Sequence, residues 1–76
     1  MEKPRKIKTN GRILYDILVR KHSNMIHVVF EMNGKMPKLV SAWEVGFSDE
    51  IYNENDAGKF ESNHPGLLQK IAKNVS

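Results

Sequence analysis

A chain of 76 residues makes one domain and buries roughly 60% of its unfolded surface, a marginal core that good packing, a dimer interface or a partner must support. It holds no cysteine, so disulfides and thiolate metal sites are excluded, and no apolar run reaches the roughly 18 to 20 residues of a membrane span. The formal charge of +3 conceals a polarity: residues 1–21 carry seven Lys or Arg against two acidic residues, whereas residues 44–61 carry six Asp or Glu against one lysine.

Residues 1–10 read as a basic N-terminal arm that ends in the polar turn Thr9-Asn10-Gly11. No apolar signal-peptide core follows the first eight residues, so a cytoplasmic location is expected. Lys3, Arg5, Lys6 and Lys8, with Arg12 and aided by Arg20 and Lys21, are the side chains that a nucleic acid or another polyanion would meet. The mechanism would be counterion release with little base reading, since no recognition motif is present. Charged tails also serve solubility, and the basic and acidic stretches can attract each other.

Residues 12–21 satisfy two periods. Alternation sets Ile13, Tyr15, Ile17 and Val19 against Leu14, Asp16 and Leu18, while Ile13, Leu14, Ile17 and Leu18 also fit a helical stripe. Their β-branched and aromatic content, and the short link His22-Ser23-Asn24, predict a strand. Residues 25–32 and 39–47 read as two further strands around Asn33-Gly34, a dipeptide suited to positive φ at both central positions of a type I′ turn. Alternation on the last strand places Trp43 with Leu39, Ser41, Val45 and Phe47 on one face, which makes Trp43 a core residue.

Residues 48–62 are an acidic connection, too long for an ordinary loop in a compact domain. A short helix over 48–58 is expected there, with Ser48 as cap, Asp49 and Glu50 in the first turn and Ala57-Gly58 as stop. Tyr52 and Phe60 within it either staple the connection to the core or, with Asp49 and Glu50, contact a protein partner. Residues 63–75 carry a helical stripe of Leu67, Leu68, Ile71, Ala72 and Val75, with Asn63 as cap and Pro65 in the first turn. The expected fold is therefore a single α+β domain: a three-stranded antiparallel meander over 12–47, covered by a C-terminal helix.

No catalytic set emerges. His22, His27 and His64 lack metal-ligand spacing, and they read as surface imidazoles at turns for His22 and His64 and a cross-strand neighbour for His27. Asn53 to Gly58 alternates oxygen ligands, but Ala57 and His64 stand where a calcium loop needs its ligands. No metal, cofactor or small-molecule substrate is expected. In architecture a basic α+β chain with an antiparallel sheet is similar to RelE-like RNA-directed toxins, which use Arg, Lys, His and Tyr on a sheet surface. No motif carries that likeness, and fold analogy does not license a function. The sequence thus predicts a binding module that contacts nucleic acid or another polyanion. The alternatives are a stoichiometric protein-binding inhibitor or adaptor working through the acidic connection or a sheet edge, a homodimer included, and a small RNA-directed toxin.

Overall fold

The computed structural model describes residues 2–46 and 49–75. The strand-end role expected of Phe47 and the cap expected of Ser48 lie outside the described residues. Five strands form one antiparallel sheet in strictly sequential order: β1 Arg5–Thr9, β2 Arg12–Lys21, β3 Asn24–Asn33, β4 Met36–Val45 and β5 Ile51–Tyr52. A 3₁₀ turn, Glu54–Asp56, leads into the short helices α1 Ala57–Asn63 and α2 Leu67–Ala72. Among the described residues no helix is long and apolar enough to cross a membrane.

This corrects the expected three-stranded sheet covered by one C-terminal helix. The first difference is at the N-terminus, where the basic arm is a strand. Asn10 and Gly11 both adopt positive φ, 49° and 76°, so the type I′ geometry favoured by Asn-Gly closes the β1–β2 hairpin and pairs Thr9 with Arg12. At Asn33-Gly34, where that turn was expected, only Gly34 has positive φ, at 66°. Asn33 instead pairs with Met36, leaving Gly34-Lys35 as the loop, with glycine at the first central position as a type II′ turn requires.

The second difference lies in the acidic connection. A short helix over 48–58 gives way to β5, the 3₁₀ turn and α1, which begins at Ala57, the expected stop. Asparagine is a poor interior helix residue but a good cap. Asn53 accepts from the Asn55 N–H at 2.8 Å while its own N–H donates to Asp56 Oδ2 at 2.8 Å, a reciprocal capping box.

The third is the cover itself, which is two short helices rather than one over 63–75. Pro65 disfavours helical geometry at His64, which takes φ −136° and ψ 69°, and Gly66 takes positive φ at 73°. The chain breaks there. Leu67, Leu68 and Ile71 of α2 and Phe60 of α1 nonetheless join Ile17, Ile26, Val28, Phe30, Leu39, Ala42 and Tyr52 in one buried cluster, so both helices lie on the same face of the sheet.

The fourth difference decides which residues meet solvent. Val29 pairs with Ser41 but Phe30 pairs with Leu39, leaving Val40 as an extra residue on β4. This β-bulge reverses the alternation beyond it. Leu39 faces the helices as expected, but Ala42 and Glu44 then point inward, and Ser41, Trp43 and Val45 point to the face that no helix covers. The expected core role of Trp43 is thereby overturned.

Candidate functional site

The uncovered face carries a row in direct register across four strands: Leu18 pairs with His27, His27 with Trp43, and Trp43 with Ile51. The His27 and Trp43 rings meet at 4.3 Å between centroids, with their planes tilted by 52°. Leu18 is 51% exposed, Trp43 37%, Val45 57% and Ile51 77%. Solvent-facing apolar side chains in a continuous row are unlike scattered surface leucines.

Beside this row Asp16 is buried under Arg5, whose Nε and Nη2 donate to Oδ1 and Oδ2 at 3.1 and 3.0 Å. His27 Nε2 lies 3.3 Å from Oδ2. The Arg5 hydrogen bonds hold the Asp16 carboxyl below its ordinary range against the opposing effect of burial, with help from His27. Lys3, Arg5, Leu18 and His27 line a shallow cleft of about 260 Å³ at this margin.

The structure does not gather the seven expected polyanion-binding cations. Strand alternation sends Arg5, Arg12 and Arg20 to the uncovered face, and Lys6, Lys8 and Lys21 to the helix-bearing face. Arg5 is engaged by Asp16. Arg12 is held by Glu31 at 3.2 and 3.3 Å, and by Glu54 at 3.6 Å, where the basic start of the chain meets its acidic middle. Lys3 remains at the cleft described above.

The expected protein-contact residues are placed differently again. Tyr52 and Phe60 are each 1% exposed and pack edge to face at 5.2 Å, so their rings staple the connection down. Glu50 pairs with Lys59 at 3.2 Å. Asp49 accepts from the Gly46 N–H at 3.1 Å.

Under the helices lies a polar node that sequence reasoning missed. Glu44, turned inward by the bulge and 6% exposed, accepts from the Tyr52 hydroxyl at 2.9 Å, His64 Nε2 at 2.8 Å and Asn24 Nδ2 at 3.3 Å. Burial pushes its carboxyl up, but the hydrogen bonds from His64 and Tyr52 outweigh that and hold it below the ordinary glutamate range. Burial raises the Tyr52 phenol, Asn63 opposes it, and the Glu44 hydrogen bond adds to the rise. His64, expected at the surface, is 7% exposed, with Lys21 Nζ 3.4 Å from its Nδ1.

A concavity of about 690 Å³ between the β3–β4 turn and α2 is mainly apolar, with Tyr15, Met32, Met36 and Val75 in its lining and Lys35 and Lys73 beside them. It lacks the convergent polar groups that orient a ligand. No group of three or more His, Cys, Asp or Glu able to hold a metal occurs among the described residues. In comparisons with protein-family models, curated proteins and solved structures, nothing matches this chain.

Proposed function

We propose that this chain is a protein-binding module whose docking surface is the uncovered face of the sheet, centred on Trp43 and His27 and flanked by Leu18, Val45 and Ile51. The observation that carries the reading is the in-register row from Leu18 to Ile51, which Trp43 joins because the bulge at Val40 turns it away from the core. An aromatic anchor amid aliphatic contacts, with a polar rim, is the composition of a binding hot spot. The rim at the β1 edge holds Lys3, Arg20 and Glu2, with Arg5 paired to Asp16, so the complementary partner has an apolar centre and a polar margin of mixed charge. A cytoplasmic setting belongs to the same reading, and the lack of cysteine is compatible with it.

A second reading rests on the exposed Trp43 ring and its tilted contact with His27. A single-stranded nucleic acid could lay a base on Trp43 and its phosphates beside Lys3 and Arg20, with salt-sensitive affinity. Capture from the native cell, with and without nuclease, separates the two, using the full chain and a Leu18→Glu, Trp43→Glu variant whose fold is checked by circular dichroism. The protein reading expects a stoichiometric partner that survives nuclease and is lost with the variant. Retention of every partner by the folded variant would overturn it, and loss of all captured material to nuclease would favour the second.

A further inference from the structure

On the helix-bearing side, between the β2–β3 turn and the end of α1, a cleft of about 290 Å³ is lined by Lys21, His22, Ser23, Asn24, Asn63 and His64. Each of these side chains can donate a hydrogen bond, and no carboxylate is among the lining residues. Glu44, the acidic group beneath it, is turned inward and takes hydrogen bonds from Tyr52, Asn24 and His64.

The chemistry of the His64 ring follows from its two neighbours. A carboxylate only accepts, so Nε2 carries the proton donated to Glu44. An ammonium only donates, so Nδ1 is the bare nitrogen facing Lys21. With Glu44 charged, Lys21 charged and His64 neutral, the three groups sum to zero. An anion at the cleft changes this balance. It would draw off the Lys21 ammonium and leave Nδ1 free to take a proton and donate it.

We propose that this cleft binds a phosphate group, free or carried on an ester, held by Lys21 Nζ and by the protonated Nδ1 of His64. A dianion offsets both cations, which a carboxylate ligand would not do, and its tetrahedral oxygens can also meet donors from the His22-Ser23 turn and Asn63. The imidazolium then lies between two anionic groups, Glu44 behind and phosphate in front, an arrangement that stabilises its charge. Binding of the dianion therefore places a proton on Nδ1, and because phosphate itself gains a proton over a similar range the pH response is read with a dianion that does not titrate. The groups that face His64 set this response. Glu44 of β4 favours proton uptake, while Lys21 of β2 and His22 of the turn oppose it. Tyr52 of β5 stays neutral, and the Glu50–Lys59 pair lies beyond it.

The test is ring-nitrogen NMR of the full chain titrated with inorganic phosphate and with sulfate, a dianion that does not titrate in this range. Both anions are expected to shift the His64 resonances saturably and to raise the pH midpoint of that ring. Lys21→Met, with its fold verified from the amide spectrum, is expected to bind at least tenfold more weakly, whereas Lys8→Met, on the same face but outside the cleft, binds within a few-fold of the parent. A nucleoside monophosphate and an oligonucleotide lacking terminal phosphates then distinguish a terminal phosphate from a nucleic-acid backbone as the source. His64 resonances that move with neither anion, or affinity unchanged in folded Lys21→Met, would overturn the proposal.

Discussion

Burying a carboxylate costs several kcal/mol unless hydrogen bonds and an opposite charge satisfy it, and removing one partner of such a pair leaves the other stranded. Glu44 has those partners. Glu44→Ala deprives His64 and Tyr52 of their acceptor and is expected to cost about 3 to 5 kcal/mol in urea unfolding. The same residue fixes part of the acid response. Glu44 and Asp16 both have folded pKa values below their ordinary values of 4.5 and 3.8. Their contribution is therefore fully present above those values and is lost as pH falls below them toward the lowered folded values. Acid unfolding followed by fluorescence should steepen below the ordinary carboxylate range, and Glu44→Gln should flatten that limb. His22 holds positive φ at 57°, which for a residue with a Cβ costs roughly 1 to 2 kcal/mol. His22→Gly is accordingly expected to raise the unfolding midpoint. At this scale the sequence was least legible: His64 read as a surface imidazole because its partner, Glu44, lies twenty positions away, and nothing local announces the pair.

Among the elements, the bulge in β4 determines more than any other feature. Deleting Val40 would join Leu39 directly to Ser41 and give strict alternation in the register already present, so Trp43 would stay on the uncovered face and Glu44 beneath the helices. A chain so altered is expected to keep its cooperative unfolding transition and its near-ultraviolet circular dichroism, whereas inserting one residue after Ser41 would exchange the faces of Trp43 and Glu44 and abolish both. Gly46 is a second constraint. Its φ is 125°, and a Cβ there would meet the Ser23 carbonyl oxygen at 3.0 Å, so Gly46→Ala is both strained and crowded by backbone and should lower the thermal midpoint. Strand β2 was legible from its β-branched and aromatic content and the short link after it, since its periodicity fits either element, and the Leu67, Leu68, Ile71 stripe was legible because apolar periodicity reports burial directly. The β1–β2 hairpin was also present in the sequence, as Asn10-Gly11, but the density of charge before it suggested a tail. The cap at Asn53 was hidden by asparagine's poor standing in helix interiors. The bulge had no local signature: Leu39 and Val40 are both apolar, and either could face inward.

At the scale of the whole molecule, the two faces of the sheet should respond oppositely to mutation. Phe60→Ala, within the core, is expected to cost about 3 to 5 kcal/mol, comparable with the entire stability of so small a domain. Leu18→Glu and Trp43→Glu lie on the uncovered face, and each is expected to change stability much less than Phe60→Ala in the same urea experiment, since little native packing is lost there. The charge polarity of the sequence was legible, but its consequence was not, because alternation divides the cations between two faces that a linear reading merges into one.

The strictly sequential strand order bears on how the chain comes into being. Each strand pairs with the one made just before it, so hairpins can close in microseconds as the polypeptide leaves the ribosome, with little loop-closure entropy to overcome. Until Phe60, Leu67, Leu68 and Ile71 emerge, the growing sheet has no cover on either side. The nascent molecule is thus most prone to mispair or to recruit a chaperone between the exposure of β5 and the exposure of Ile71, a stretch of roughly twenty residues that takes a few seconds at ordinary elongation rates.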